Sequence, residues 1–206
     1  MKTRNIVPIV LAAGGSDRLG FPKPLARFGE KTAIEIALEN CAGWGLGGPI
    51  VVLGCDASEV RKAVPRGVKV VINRRWQEGQ LGSLLAGLQH VAKNDAFMIY
   101  PVDHPLLTRS ITMRLVSAFR SRSPAQTIVM PRFKRYPGHP VICAPEIRPE
   151  LAKAKTARDV TYRTRRRIRY LPVRSPGVYL DFGTPETYLD CLKRYGVRKH
   201  VRRKRF

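Results

Sequence analysis

A short apolar segment that runs directly into a glycine-bearing, cationic loop is the most constraining feature of this chain. Residues 6–12 are apolar throughout and predict a buried strand, and Gly14 and Gly15 follow almost at once. Arg18 and Lys23 belong to the same loop. Glycines let backbone N–H groups approach phosphate oxygens, and fixed cations neutralise the phosphate charge. The segment therefore predicts a nucleoside triphosphate site at the end of a strand.

Two better-known phosphate-binding patterns do not fit this loop. A Walker loop ends in Gly-Lys followed by Ser or Thr, and the dinucleotide fingerprint needs a third glycine that opens a helix. Residues 11–23 instead read Leu-Ala-Ala-Gly-x-Ser-x-Arg-x-Gly-x-x-Lys. The chain is thus expected to use a different kind of triphosphate loop.

The length of the chain favours one domain. Its 206 residues are 44% hydrophobic, enough for one substantial core and few for two. We predict a single domain over residues 1–195 and a basic tail over residues 196–206 that can be disordered. No run of about twenty apolar residues is present, and residues 1–4 do not begin a signal peptide. The expectation is a cytoplasmic protein that does not bind membranes.

The charge of the chain is strongly positive and unevenly distributed. The net charge is +23, with 17 Lys and Arg against 9 Asp and Glu up to residue 130, and 21 against 6 beyond it. Basic runs at residues 163–169 and 198–205 could attract RNA, an acidic partner or anionic substrates. A solvated basic face is the favoured alternative. The four cysteines are widely separated, so they indicate neither a zinc site nor a disulfide framework.

Strand-like and helix-like segments alternate along the chain. Strands are predicted near residues 6–12, 50–53, 68–72 and 96–100, and helices begin near Thr32, Ser58 and Leu81. Thr32 and Glu35 have the spacing of a capping box. The third helix is expected to reach Ala92 and to include His90. Single helices between strands predict a Rossmann-like three-layer α/β/α fold with a mainly parallel central sheet.

Three polar loops follow predicted strands at the edge where such sheets bind ligands. The glycine loop follows the first strand, residues 73–88 follow the third, and Asp103 lies just beyond the fourth. Ligands of open α/β sheets collect outside the carboxyl ends of the strands. A carboxylate at this position can hold Mg²⁺ beside triphosphate oxygens. The three loops are therefore expected to form one site.

These loops resemble the signatures of the nucleotidyltransferases that activate sugar phosphates and cofactors. The similarity covers roughly residues 5–192 and is greatest to the MobA-like family, in particular its molybdenum cofactor cytidylyltransferase branch. The resemblance rests on three motifs: the 11–23 loop, Asn-x-x-Trp-x-x-Gly-x-x-x-Ser-Leu at 73–84 and Pro-x-Asp-x-Pro-Leu-Leu at 101–107. The resemblance implies a nucleotide-diphospho-sugar transferase fold, with Arg18, Lys23 and Asp103 catalytic. The nucleotide would contact Leu11, Ala12, Ala13, Gly14, Gly15, Arg18, Lys23, Gly79 and Ser83.

Two later segments extend the resemblance and also depart from it. Residues 181–187 resemble Asp-x-Asp-Thr-Pro-Glu-Asp, which implies that Asp181 joins Asp103 in binding the metal. Gly183 stands where the second acid is expected, and residues 155–158 lack the glycines of a related loop. Residues 138–141 resemble a Gly-His-Pro-Val element, so His139 is a candidate contact for the acceptor phosphate or the pyrophosphate. A histidine held in a turn is the alternative.

The sequence therefore predicts a Mg²⁺-dependent transfer of a nucleoside monophosphate to a phosphorylated acceptor, with release of pyrophosphate. Leu-Ala-Ala-Gly in place of Leu-Ala-Gly-Gly favours CTP over GTP, and the resemblance implies molybdopterin as the acceptor. Guanylyl transfer and a sugar phosphate acceptor remain open. A molybdoenzyme is a candidate partner. The alternative without enzymatic activity is a basic protein that binds nucleic acid.

Overall fold

Single α-helices alternate with strands over residues 50–133 of the described chain. The computed structural model describes residues 5–43 and 45–203, with side-chain surroundings through residue 196. The strands are β1 (Ile6–Ala12), β2 (Arg27–Phe28), β3 (Lys31–Thr32), β4 (Ile50–Leu53), β5 (Lys69–Ile72), β6 (Ala96–Pro101), β7 (Ile128–Phe133), β8 (Tyr136–Pro137), β9 (Val141–Cys143) and β10 (Ile168–Pro172). The helices are α1 (Ala33–Asn40), α2 (Ala57–Lys62), α3 (Gln80–Leu88), α4 (Arg109–Arg120), α5 (Arg148–Leu151), α6 (Ala157–Thr161) and α7 (Pro185–Arg203).

The central sheet has the strand order β10-β7-β9-β6-β1-β4-β5, and β8 pairs with β7. Strand β1 lies between β6 and β4, and both pairings are parallel. Strands β4 and β5 are parallel, as are β7 and β10. Strand β9 runs antiparallel between β6 and β7. The prediction of a mainly parallel sheet is confirmed, and β6 and β7 point the same way although β9 separates them.

Side chains that alternate along β1 divide the core into two halves. Val10 packs in a cluster that includes Ile34 of α1 and Leu115 of α4 on one face of the sheet. Ile9 packs in a second cluster with Leu84 of α3 on the other face. Successive residues of a strand point to opposite faces, so an apolar strand needs helices on both sides. The predicted three-layer arrangement is confirmed.

Helix α3 is shorter than its sequence pattern predicts. It ends at Leu88, and His90 lies exposed in the turn that follows, so the extension to Ala92 was wrong. Hydrogen bonds from Arg148 to the carbonyls of Val91 and Ala92, at 3.0 and 2.7 Å, hold this segment outside the helix. Apolar spacing cannot show such a bond, since its donor lies on α5.

The capping box predicted for the first helix is present, and the last helix enters the predicted tail. Thr32 and Glu35 form the reciprocal capping box at the start of α1. Helix α7 begins at Pro185, and its backbone continues to Arg203, into the predicted basic tail. The side chains beyond residue 196, and residues 204–206, lie outside the described residues. Within the described chain, α7 and the other helices are too short or too polar to span a membrane.

Candidate functional site

The loop after β1 is closed by Ser16. The backbone N–H of Lys23 donates to the Ser16 hydroxyl at 2.8 Å. The Ser16 carbonyl accepts hydrogen bonds from Leu19 and Gly20 at 2.8 and 3.1 Å. Gly20 has φ +81°, which a side chain would strain. These bonds return the chain to the end of β1 and hold Lys23 beside the strand.

Trp76 joins this loop to the end of β4. A Cβ atom at Gly15 would lie 3.1 Å from the Trp76 ring, so the two are in close contact. A Cβ atom at Gly54 would lie 2.5 Å from Trp76 and 2.6 Å from the carbonyl oxygen of Ala13. Only a glycine at position 54 lets the three segments approach this closely. Trp76 thus packs between the glycine loop and the end of β4 and positions the loop. Its place in the 73–84 motif did not predict this role.

The three loops enclose a cavity of about 300 Å³ at the carboxyl edge of the sheet. It includes every predicted nucleotide-binding residue except Arg18, and Asp103 forms one of its walls. Its lining residues are Leu11, Ala12, Ala13, Gly14, Gly15, Lys23, Pro24, Trp76, Gln77, Gly79, Gln80, Ser83, Pro101, Val102 and Asp103. The sequence singled out neither of the two glutamines, which flank the predicted Gly79.

Ser83 lies buried in the wall of the cavity opposite the glycine loop. Its hydroxyl oxygen accepts a hydrogen bond from the side-chain amide of Asn73 at 3.0 Å. The Asn73 backbone N–H donates to the carbonyl of Leu53 at 2.7 Å, which anchors this pair to β4. Because its oxygen accepts from Asn73, the Ser83 hydroxyl is oriented to donate its own proton. This donor and the carboxamides of Gln77 and Gln80 give the cavity hydrogen-bonding groups that could pair with the polar edge of a ligand.

Asp103 lies between a histidine and a lysine. Its Oδ1 is 2.9 Å from Nδ1 of His104, and its Oδ2 is 3.9 Å from Nζ of Lys23. Burial alone would raise the pKa of Asp103, but the His104 hydrogen bond and the nearby cation outweigh it and lower that pKa. Asp103 is therefore a carboxylate at neutral pH, with Oδ2 towards the cavity lysine.

His139 lies behind this pair rather than in the cavity wall. Its ring meets the ring of His104 edge to face, with centroids 4.9 Å apart. Burial, with the neighbouring His104, lowers the pKa of His139 to about 3, so its ring is neutral. Its Nδ1 is buried and has no hydrogen-bond partner among the described residues. The arrangement makes His139 a support for His104, and its contact with an acceptor phosphate stays a prediction.

Asp181 reaches the site through a backbone contact. The N–H of Phe182 donates to the carbonyl of Asp103 at 3.1 Å, which places Asp181 beside the Asp103 loop. Cys191 of α7 holds the same segment through a 3.9 Å contact of its thiol with the Asp181 carbonyl. The Asp181 side chain is exposed and does not line the cavity.

Arg18 lies outside the cavity, next to Gly183, which stands where the resemblance expects a second acid. A Cβ atom at Gly183 would lie 3.4 Å from Nη2 of Arg18 and 3.7 Å from Nζ of Lys23. A carboxylate in place of Gly183 would therefore lie close to both cations. With glycine here, position 183 contributes no carboxylate to neutralise the two cations, and these can meet an anionic ligand.

The donor set suits a hard divalent cation shared with a ligand. Among the described residues no cluster of three or more His, Cys, Asp and Glu side chains has the arrangement of a metal site. Asp103 supplies a carboxylate in the cavity wall, and Asp181 lies on the neighbouring segment with its carboxylate exposed beside the cavity. Mg²⁺ is commonly held by one or two carboxylates, with substrate phosphates and water completing the shell. The two carboxylates therefore fit a divalent ion only where a ligand completes its oxygen shell.

Comparison with known proteins agrees with this geometry. Residues 8–171 match the family described as the MobA-like NTP transferase domain. The nicotine blue oxidoreductase of Paenarthrobacter nicotinovorans is 30% identical over 153 residues, which cover 71% of this chain and 74% of that protein. The crystal structure of Rv0371c from Mycobacterium tuberculosis has a TM-score of 0.80 and 29% identity, covering 94% of this chain and all of that chain. A manganese complex of Rv0371c has a TM-score of 0.76 and 26% identity, covering 92% of this chain and 98% of that one.

Proposed function

Because the chain belongs to the MobA-like NTP transferase family, we propose that it transfers CMP from CTP to a phosphorylated acceptor and releases pyrophosphate. The transfer depends on Mg²⁺, and molybdopterin is the first acceptor to test. The observation that carries this proposal is the position of Lys23 and Asp103, 3.9 Å apart on one cavity wall, at the end of a glycine loop. A cation, a carboxylate and backbone donors at one point suit a metal-bound triphosphate.

The reaction needs positioning and charge stabilisation rather than a protein nucleophile. An oxygen of the acceptor phosphate forms a bond to the α-phosphorus of CTP. The bond from that phosphorus to the oxygen bridging the α- and β-phosphates breaks, and pyrophosphate leaves with the bonding electrons. Lys23, Arg18 and the loop N–H groups stabilise the negative charge that shifts towards the leaving group.

A bound Mg²⁺ would neutralise phosphate charge and hold the reacting groups in line. Asp103 and Asp181 are the residues that would hold it. Lys23, at 3.9 Å from Asp103, balances the carboxylate charge and directs Oδ2 towards the cavity. His104 forms a hydrogen bond with Oδ1 of Asp103 and so limits rotation of the Asp103 side chain. The manganese complex of Rv0371c supports a divalent ion in this fold.

One lining residue of the cavity, Ala13, supports the preference for cytosine. Ala13 stands where a Leu-Ala-Gly-Gly loop has glycine, and its side chain is buried in the wall. A larger wall residue leaves less room for a purine. The Ser83 hydroxyl can donate to O2 or N3 of cytosine, both of which accept hydrogen bonds. GTP remains the second nucleotide to test.

One assay tests both substrates. The protein is incubated with Mg²⁺, each of the four NTPs in turn, and either molybdopterin or a common sugar 1-phosphate. Pyrophosphate is measured, and the product is identified by mass. Formation of a CMP adduct supports the proposal, and a GMP adduct corrects the base. No pyrophosphate with any pair of substrates would overturn the proposed acceptors.

Two other activities are distinguished by parallel measurements. The name of the nicotine blue relative makes a reductase activity one alternative, and oxidation of NADH or NADPH with a quinoid dye would reveal it. The net charge of +23 makes RNA binding the other. Thermal stabilisation by Mg-CTP that RNA does not reproduce would support the transferase. Indifference to all NTPs, with RNA affinity that salt abolishes, would favour the binding protein.

A further inference from the structure

We propose that Tyr188, in the first turn of α7, is a positioning residue for the triphosphate: it holds the glycine loop so that Arg18 and Lys23 meet the β- and γ-phosphates. This inference rests on the proposed function, because it assigns how the cations of the same site are held in place. It is carried by the contact of the Tyr188 ring with Phe21, which lies in the loop between the two cations. Both rings lie outside the nucleotide cavity.

The glycine loop is exposed where it turns towards Lys23. Gly20 has φ +81° and nothing within 4 Å of its ideal Cβ position, and Phe21 after it is 38% exposed. The Phe21 ring meets the Tyr188 ring edge to face, with centroids 5.6 Å apart and an interplanar angle of 71°. Edge-to-face rings attract each other through their charge distributions, so this contact fixes direction as well as distance. Helix α7 thus holds the loop at the turn between its two cations.

Tyr188 is itself fixed by its neighbours. Its hydroxyl donates to the carbonyl of Arg27 at 2.8 Å. Its ring packs on Phe28 and Phe182, with centroids 5.4 and 5.7 Å away, and both phenylalanines are fully buried. A ring that is bonded at one end and packed on two buried rings has little freedom to change its rotamer. Tyr188 therefore presents a fixed surface to Phe21.

The same packing relates the cations to the proposed metal site. The backbone N–H of Phe182 donates to the carbonyl of Asp103 at 3.1 Å. A Cβ atom at Gly183, the next residue, would lie 3.4 Å from Nη2 of Arg18. Tyr188 contacts both this segment and the glycine loop, so its ring sets the distance between them. The cations and the carboxylates come from different parts of the chain, and Tyr188 joins those parts.

The wall that carries Ser83 is held separately from this contact. Tyr188 packs against the half of the core that contains α1 and α4, whereas α3 packs in the other half. Ser83 on α3 bonds to Asn73, which is anchored to β4. Loss of the Tyr188 ring should therefore weaken contacts with the β- and γ-phosphates and leave contacts with the base intact. A general loss of structure would weaken both.

The test compares CTP with CMP, which has the same base but lacks the β- and γ-phosphates. Calorimetry in the presence of Mg²⁺ measures the Kd of each nucleotide for the full chain. Tyr188→Leu removes the ring and is expected to raise the Kd for CTP about tenfold or more, the loss of one hydrogen bond to a charged group. The Kd for CMP should not change. Tyr188→Phe keeps the ring and should restore the Kd for CTP of the unaltered protein.

The matched control is Tyr195→Leu. Tyr195 also lies on α7 and packs on Phe28, with centroids 5.7 Å apart, but it lies two turns, about 10 Å, further along the helix from the loop. This variant should bind both nucleotides as the unaltered protein does. A second comparison uses the Arg18→Gln protein, in which Tyr188→Leu should raise the Kd for CTP by a smaller factor, because the two residues act together. Thermal melting of each variant shows whether the fold is retained.

The outcomes separate this inference from the proposed function, because binding of CTP and CMP needs no acceptor. An unchanged Kd for CTP, an equal rise for CTP and CMP, or an equal effect of Tyr195→Leu would each overturn the positioning role. A loss that recurs in full in the Arg18→Gln protein would overturn it too. If Tyr188→Leu acts as expected but no substrate pair yields pyrophosphate, the positioning role stands and the transferase reaction fails. If transfer occurs and Tyr188→Leu binds CTP normally, the positioning role alone is overturned.

Discussion

At the residue scale, Asp103 is the carboxylate beside the glycine loop to which we assign the proposed metal. It is one of two carboxylates assigned to the ion, and Lys23 lies 3.9 Å from its Oδ2. Asp103→Asn keeps the size of the side chain but removes the charge that the cation needs. We expect the rate of pyrophosphate release to fall about a hundredfold or more at saturating Mg²⁺, a loss typical of a removed electrostatic contact in a transfer site.

The matched control for this variant is Asp159→Asn, because Asp159 caps α6 through its carboxylate oxygen and lies outside the cavity. An asparagine oxygen can still accept the capping bond. That variant is expected to keep full activity. Equal rates for Asp103→Asn and the unaltered protein would remove Asp103 from the metal site.

A second residue-scale prediction concerns Ser83. Its oxygen accepts a hydrogen bond from Asn73, so its hydroxyl proton is free to donate to the nucleobase. Ser83→Ala should raise the Kd for CTP about three- to tenfold, the value of one hydrogen bond, and should narrow the preference for CTP over GTP. Calorimetry with both nucleotides measures this, with the exposed Ser58→Ala as control. An unchanged Kd for CTP would place the base elsewhere.

At the scale of elements, the close approach of the end of β4 to the glycine loop depends on Gly54. A Cβ atom there would lie 2.5 Å from Trp76 and 2.6 Å from the Ala13 carbonyl. Gly54→Ala is therefore expected to lower the free energy of unfolding by about 1–3 kcal/mol, as overpacking does. It should also weaken CTP binding, because the shift moves the loop.

Gly48→Ala is the control for this substitution, since a Cβ atom at Gly48 meets nothing within 4 Å. Its effect on unfolding should stay within about 0.5 kcal/mol. Urea denaturation followed by circular dichroism compares the two variants. Equal stabilities would show that Trp76 can move aside and does not position the loop.

A further prediction at this scale joins α5 to the segment before β10. Glu150 accepts hydrogen bonds from Arg167 at 2.7 and 3.1 Å, and these bonds lower its pKa below the ordinary value. A carboxylate with a lowered pKa in the folded state adds stability above its unfolded pKa of about 4.3. That contribution is lost as the pH falls through the lower, folded-state value.

Glu150→Gln should therefore lower the free energy of unfolding by about 1 kcal/mol at pH 7. The difference from the unaltered protein should shrink below pH 4 and then vanish. The exposed Glu30→Gln provides the control. Urea denaturation at pH 7 and at pH 3 measures both variants, and a difference that does not change with pH would contradict the ion pair.

At the scale of the whole molecule, the excess of positive charge is expected to act on association. A net charge of +23 attracts a triphosphate over distances beyond direct contact, and salt screens this attraction. The association rate of CTP should fall at least about tenfold between 50 and 500 mM KCl. Stopped-flow mixing with a fluorescent CTP analogue measures it, with uncharged cytidine as the control. A rate independent of salt would limit the role of the charge to solubility.

Much of the fold was accessible from local patterns. The apolar run of β1 and the capping box of Thr32 with Glu35 are properties of neighbouring residues, and both were predicted correctly. The end of α3 was not, because the bonds that hold Val91 and Ala92 come from Arg148, 57 and 56 residues away in the chain. Bonds of this range leave no trace in a local pattern.

The sequence by itself determined the α/β class, the glycine loop after β1 and the position of Asp103 just beyond a strand, since spacing and residue type alone express these. Only the tertiary structure decided what surrounds them. It set the rings of His104 and His139 edge to face, and it placed position 183, where this chain has glycine, beside Arg18 and Lys23. The physical reason is that contacts between strands depend on sheet order, which brings together side chains that no sequence interval relates.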